Sequence, residues 1–281
     1  MSEAVATQPT PWFRASFKEW IFTTDHKKIA VLYGMTSLLF FSVAGLMGMA
    51  IRFELTAPGV QFLDPDLYNY LLTGHGAVML LWWAIAFWGA FSNFLIPLFI
   101  GARDVAFPRL NQLSYWWFFS ASILVLITLI PSENIRMMWT GYPPFSLNDN
   151  AGPTAIYVLI IILIAGSTLG TGVNFITTVL RMRAKNVTLG NTNLMTHALI
   201  SSIVVQLVGV PAFVGAVIML FLDKYIGTQF FSASSGGDPV LYQHLFWFYS
   251  HPAVYVMILP AFGVFSEVLS TMSQKPIFGR V

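Results

Sequence analysis

Residues 242–255 read Tyr242-Gln243-His244-Leu245-Phe246-Trp247-Phe248-Tyr249-Ser250-His251-Pro252-Ala253-Val254-Tyr255, and they set a histidine and a tyrosine inside an otherwise apolar run. His251 and Tyr255 are four residues apart, so a helix places them on one face, one turn apart. An imidazole that can bind a metal beside a phenol that can be oxidised is the chemistry this spacing permits. The pair also reads as two polar side chains satisfied by hydrogen bonds inside a helix bundle. Polar groups within a membrane span are by default functional candidates, so the medium around this helix matters.

Composition settles the medium. Hydrophobic residues make up 56% of the 281 and charged residues 9%, which places the chain among integral membrane proteins. The absence of cysteine excludes disulfides, thiolate metal sites and iron–sulfur clusters held by this chain, and leaves histidine as the strong nitrogen ligand. Met1 to Pro11 is polar and lacks the short apolar core of a removable signal peptide. The net charge of +2 gives no support for a nucleic-acid partner.

Outward from the opening stretch, six charge-free apolar runs lie near Ile29–Ile51, Leu71–Ile100, Leu113–Ile130, Ala155–Leu180, Leu194–Leu222 and Leu241–Val264. Each is long enough to cross roughly 30 Å of hydrocarbon as a helix, the third with the least margin. Backbone satisfaction in lipid favours helices over strands. The predicted fold is therefore all-α, a polytopic bundle of six spanning helices. It divides into an interfacial amino-terminal segment (1–28), the six-helix domain (29–270) and a carboxyl-terminal segment (271–281). Eleven of the fourteen Lys and Arg fall in the amino terminus, the second and fourth loops and the carboxyl terminus, which predicts both termini on the cytoplasmic side. His26, between Asp25 and Lys27-Lys28, reads as a solvated surface histidine.

The stretch 242–255, with Gly236-Gly237-Asp238-Pro239 before it, resembles the sixth helix of subunit I of the haem-copper terminal oxidases, type A and cytochrome c oxidase-like. The resemblance implies that His251 is one of three histidines on the active-site copper, with Tyr255 covalently bonded to it. The usual glutamate after His-Pro is replaced by Ala253. Tyr249-Ser250 resembles the branch in which this pair takes the lost carboxylate's place in the proton path. Thr73-Gly74-His75-Gly76 is similar to the family's Thr-x-His-Gly, which implies His75 as an axial ligand of the low-spin haem. The small residues around it are expected to leave room for a macrocycle. Arg52 resembles the arginine that bonds that haem's formyl group, and also reads as an arginine snorkelling to the interface.

The segment from Asn93 to Asn111, with Asp104 within it, is similar to the mouth of the family's D-type proton pathway. Asp104 alternatively pairs with Arg103 or Arg109. It is 29 residues from His75, roughly 43 Å along a helix, so a proton taken up there must be relayed. Ser167, Thr168 and Asn174 match the upper polar stretch, with Tyr249 and Ser250 at its end, and Ser266 matches a K-type pathway. Glu267 reads as a helix-end carboxylate in preference to a point where protons enter. Trp139-Thr140-Gly141-Tyr142-Pro143-Pro144 resembles the outer surface near the haems, and is also an ordinary rigid turn. His197 and His244 match framework positions.

The family has about twelve helices in this subunit, and the resemblance covers six. The remaining histidines for copper, for the high-spin haem and for the second side of the low-spin haem are expected after Val281, in a second chain or a missing segment. The resemblance thus implies half of a catalytic subunit in a bacterial cytoplasmic membrane, reducing O2 to water with proton pumping. Its cofactors are low-spin and high-spin haem, of haem a type, and copper. Its partners are a second chain completing subunit I, a subunit II-like protein through which electrons enter, and cytochrome c as donor. Alternatives are a quinol oxidase, a nitric oxide reductase relative and, from another class, half of a transporter without haem.

Overall fold

The computed structural model describes residues 16–130 and 134–279. The polar Met1–Pro11 stretch lies outside the described residues. A short helix α1 (Phe17–Ile21) precedes the first span, with Glu19 4.0 Å from Lys28 and the Lys28 ammonium 5.9 Å over the Trp20 ring.

Among the described residues six helices or helix pairs are long and apolar enough to cross a membrane, so the chain is an integral membrane protein built as an all-α bundle. They are α2 (His26–Glu54), the continuous pair α3 (Pro65–Val78) and α4 (Ala86–Ile100), α5 (Pro108–Ile127), α6 (Thr154–Arg181), α7 (Leu194–Tyr225) and α8 (Pro239–Ser273). Their starts are written in local chemistry. Asp25 caps α2 by accepting from the Lys27 and Lys28 amides at 2.7 and 3.1 Å. Asp64-Pro65 and Asp238-Pro239 each put an acceptor at the cap and a proline, which lacks an N–H, at the first helical position. Asn193 caps α7 through the Thr196 amide at 2.9 Å. Gly101, at φ +69°, ends α4 in the left-handed conformation that glycine adopts without strain. The third span stops at Ile127, three residues short of the apolar run read from the sequence, and gains length at its other end from Pro108.

Between α3 and α4 the backbone widens to a π-helix over Met79–Ile85. Such wide turns cost hydrogen-bond geometry and recur at functional sites. This one turns Trp82 into the core, 1% exposed, where its indole N–H donates to Ser122 Oγ at 2.8 Å. Around it pack Phe40, Phe118 and Tyr33, the last two stacked at 5.2 Å. In order, α2 lies against the α3–α4 pair, α5 against α6, α6 against α7 and α7 against α8, while α8 also reaches the π segment. A second cluster, Ile96, Ile100, Val105, Phe175, Val179 and Leu199, closes the end nearer the α4–α5 loop. Leu39, Leu46, Val208 and Phe265, each more than 45% exposed, point outward, as a surface solvated by hydrocarbon permits.

Candidate functional site

At the first turn of α2 the structure differs from the expectation of a solvated histidine. His26 is not solvated: it is 3% exposed, and its Nδ1–H donates to the Asn93 carbonyl at 2.7 Å. The physical reason lies 71 residues away. Pro97 has no N–H, so the Asn93 carbonyl one turn before it has lost its helical donor, and the imidazole supplies one. Asp104 does not pair with Arg103 or Arg109. Among the described residues the ion pairs are Lys28–Glu19 and Arg136–Asp66. The Asp104 carboxylate instead accepts from its neighbour's amide, Val105 N, at 2.7 Å. Burial raises its pKa above the ordinary aspartate value, against the opposing pull of that amide and of His26.

Behind Asp104 the polar side chains form a column. Asn111 Nδ2 donates to Asn93 Oδ1 at 2.6 Å, both residues being fully buried. Asn174 accepts from the Phe107 amide at 2.8 Å, and Thr178 Oγ1 accepts from Ala106 at 2.8 Å. Asn174 thus holds the α4–α5 loop, whereas Ser167 and Thr168, expected to act with it, lie two turns along α6 at a cavity. Tyr33 hydrogen-bonds Ser167 there at 2.9 Å. Asn111 Oδ1, Ser114 Oγ, Ser37 Oγ and Thr171 Oγ1 are buried without a protein partner. Buried oxygens of this kind are the groups to which ordered water bonds in protein interiors.

Two cavities follow in line. The first, about 60 Å³, is walled by Tyr33, Ser92, Ser167, Thr168, Thr171, Ser202 and Gln206 among apolar residues. At about 15 Å³ each it has room for roughly four waters. The second, about 260 Å³, is walled by Trp139, Phe213, Phe246, Tyr249, Ser250 and Ala253, and Leu81 and Ile85 border both. The Tyr249 ring stacks on Phe213 at 5.2 Å and 4°. The sequence reading missed Tyr33, Ser92, Thr171, Ser202 and Gln206. Their signal was single polar residues within apolar runs.

His75, on the last turn of α3, donates Nδ1–H to the Ala44 carbonyl of α2 at 2.8 Å. That bond fixes the ring and leaves the Nε2 lone pair free, as an axial imidazole requires. A Cβ at Gly48 would come within 2.8 Å of His75 Cε1, so glycine at this position lets the ring seat against α2. The room expected beside Gly74 and Gly76 is already taken, by Met47 Sδ at 2.9 Å and the Trp139 side chain at 3.1 Å from where their Cβ atoms would stand. Small residues here serve helix and loop approach. Arg52, one turn beyond Gly48, is exposed.

His251 and Tyr255 come together as the spacing requires, with ring centroids 4.8 Å apart and crossed at 66°. Both are exposed on α8, Tyr255 by 48%. Among the described residues no three His, Asp or Glu side chains gather closely enough to share a metal ion. Ser266 is half-buried further along α8, and Glu267 beside it accepts from the Leu194 amide at 2.8 Å, capping α7 as a helix-end carboxylate. His197 bonds Thr192 at 2.9 Å and His244 is exposed. From α8 the Trp247 indole donates to the Tyr142 hydroxyl of the α5–α6 loop, and Tyr242 donates to the Thr140 carbonyl there at 3.0 Å.

Comparison with known proteins gives this arrangement a lineage. Residues 28–281 match the family described as Cytochrome C and Quinol oxidase polypeptide I. The chain is 43% identical over 258 residues to the cytochrome c oxidase subunit 1 of Synechocystis sp., covering 92% of this chain and 47% of that protein. It is 40% identical to the quinol oxidase subunit 1 of Bacillus subtilis, over 94% of this chain and 41% of that protein. With the cytochrome c oxidase subunit 1 of Cereibacter sphaeroides the identity is 37%, over 95% and 53%. The chain spans about half the length of the curated relatives it matches. With the match running from Lys28 through all six spans, the chain belongs to the cytochrome c and quinol oxidase polypeptide I family.

Proposed function

We propose that this chain is part of the catalytic subunit of a respiratory terminal oxidase that reduces O2 to water with electrons from cytochrome c and pumps protons. The observation that carries the reading is the polar column running through an apolar bundle from Asp104, past the Asn93–Asn111 pair and the Tyr33–Ser167 pair, toward the helix that bears His251 and Tyr255. Polar groups are costly in such a medium, and where they gather they mark a path or a site by default. Bound haem and copper supply the electron transfer and the oxygen chemistry.

The chain's own residues have these roles. His75, its ring oriented by the Ala44 carbonyl, would hold the low-spin haem iron through Nε2, and Arg52 would bond that haem's formyl group. His251 is one ligand of copper, and the others come from outside this stretch. Tyr255, in ring contact with His251, holds a transferable proton on Oη. Asp104 takes protons from the cytoplasmic side, and Asn93, Asn111 and Asn174 hold the mouth open to water. Ser167 and Thr168 carry the water chain inward. Tyr249 and Ser250 hand the proton on without storing it, because a neutral hydroxyl cannot hold an extra charge as a carboxylate does. Ser266 belongs to a second uptake route. Residues 1–28 and 271–281 flank the membrane domain, with both termini in the cytoplasm of a bacterium, as the distribution of Lys and Arg supports. A second chain or segment completing the subunit and a subunit II-like partner complete the complex.

The quinol oxidase relatives support a second reading of the electron donor alone. The test is a reduced-minus-oxidised spectrum, metal analysis and oxygen uptake of the purified complex. Uptake is driven in turn by reduced cytochrome c and by a quinol. Two haems with copper and turnover on cytochrome c are expected. Turnover on quinol alone reassigns the donor, and a complex without haem overturns the proposal.

A further inference from the structure

Gln206 has no part in the path described above, yet it stands at the wall of the 60 Å³ cavity and is the amide side chain among the described residues that line it. Ser202 lies one turn before it on α7 and lines the same cavity. One turn after it comes Gly209, which packs on the Tyr249 backbone: a Cβ there would stand 3.4 Å from Tyr249 Cα and 3.6 Å from the Phe248 carbonyl oxygen. Phe213 follows one turn later and stacks on the Tyr249 ring. Ser202, Gln206, Gly209 and Phe213 therefore form one face of α7 that leads from the first cavity to Tyr249.

The facing helix contributes acceptors. Pro252 and Pro260 lie inside α8 and lack N–H groups, so the carbonyls of Phe248 and Val256 one turn before them lose their helical donors. Val256 and Pro260 line the first cavity, and the Phe248 carbonyl faces Gly209. On α6 the Thr171 hydroxyl at the same cavity has no protein partner. An amide offers two donors and an acceptor without titrating. Set between unpartnered oxygens at both ends, it is suited to orienting water and unsuited to trapping charge.

We propose that Gln206, with Ser202, is a positioning residue for the proton path: it orders a water chain along the α7–α8 seam that joins the Ser167–Thr168 cavity to Tyr249 and Ser250. The proposal rests on the oxidase reading above. It explains how protons pass the apolar border of Leu81 and Ile85, by going around it along the seam.

The test uses the assembled complex in vesicles, comparing the unaltered protein with Gln206→Leu and Gln206→Glu. Oxygen uptake, protons released per electron, the solvent deuterium isotope effect and the low-spin haem spectrum are read together. Gln206→Leu is expected to keep the spectrum, to slow turnover roughly three- to ten-fold, the worth of one hydrogen bond in the chain, and to enlarge the isotope effect. Gln206→Glu, of the same shape, is expected to recover turnover, and its carboxyl stretch should shift in the infrared on exchange into D2O. Normal rate, proton yield and isotope effect in Gln206→Leu overturn the proposal. If Gln206→Leu fails to assemble, the Glu variant decides: a carboxyl band blind to D2O overturns it, and an exchanging band upholds it. An unaltered complex that takes up no oxygen overturns the oxidase reading and this inference with it.

Discussion

Replacing Gly48 by alanine tests whether the seat of His75 is as tight as its geometry states. The new Cβ would stand 2.8 Å from His75 Cε1 and 2.9 Å from Nδ1, where ordinary contact begins near 3.4 Å, so the ring must withdraw by about 0.6 Å. Ala44, whose carbonyl accepts from Nδ1 at 2.8 Å, lies on the same helix as Gly48, one turn away. Withdrawal from α2 therefore lengthens that bond to about 3.4 Å, beyond useful hydrogen-bond range. Overpacking costs about 1–3 kcal/mol and the lost bond about 1 kcal/mol, while alanine's helix preference returns up to about 1 kcal/mol. The expected net loss is about 1–3 kcal/mol. Since sub-ångström placement governs such sites, the low-spin haem signal should weaken out of proportion to the lost stability. Gly89→Ala is the control, because a Cβ there meets nothing within 4 Å. The assay pairs thermal denaturation with the reduced-minus-oxidised spectrum. A Gly48→Ala complex with the stability and full low-spin signal of the Gly89→Ala complex would refute the reasoning.

Tyr255→Phe should abolish oxygen reduction while leaving the low-spin spectrum nearly intact, and unchanged turnover removes Tyr255 from the chemistry. Tyr249→Phe with Ser250→Ala should slow proton uptake more than either change alone, with Ala253→Glu restoring it, because Ala253 faces the same 260 Å³ cavity. Additive effects or no rescue would count against a shared relay. Asp104→Asn should suppress pumping, read as protons released per electron. It should also alter stability with pH. Burial raises the Asp104 pKa in the folded chain, so its contribution is greatest below the unfolded aspartate value, about 3.9, and is lost as pH rises through the raised value. The asparagine variant should lack that decline in a denaturation series across pH, and an identical slope in both proteins would sink the assignment.

Much of this molecule was legible because its determinants are local. Asp-Pro pairs mark the starts of α3 and α8, Gly101 marks the end of α4, and the apolar runs mark the spans. The four-residue spacing of His251 and Tyr255 was enough to bring their rings into contact. His26 was misread because its neighbours in sequence, Asp25, Lys27 and Lys28, are charged, whereas on a helix each successive residue turns by about 100°. What fixes His26 is a carbonyl freed by Pro97, a relation between residues far apart in sequence. The π segment was likewise invisible, since Met79–Ile85 reads as any apolar run. The glycines flanking His75 were read as space for a ligand. A glycine leaves room without saying what fills it, and here Met47 and Trp139 do.

With alanine at position 253, no carboxylate stands on this stretch of α8 to hold a proton. Among the described residues that line the two cavities there is no Asp, Glu, His, Lys or Arg. A proton moving through them meets neutral groups, hydroxyls, one amide, indoles and carbonyls, none of which stabilises a resident charge in an apolar bundle. On the proposed reading such a segment conducts only when a proton leaves one end as another arrives at the other, so the groups that hold protons must sit at its ends. Asp104 at the mouth, with its pKa raised by burial, is one such group. Tyr255, which is 48% exposed on α8 and lines neither cavity, is on that reading the other, less than two turns along α8 from the Tyr249–Ser250 end of the path. Coupling would then be set by the order of water between them, which is why the amide of Gln206 and the hydroxyls of Tyr249 and Ser250 matter more than their neutral chemistry suggests.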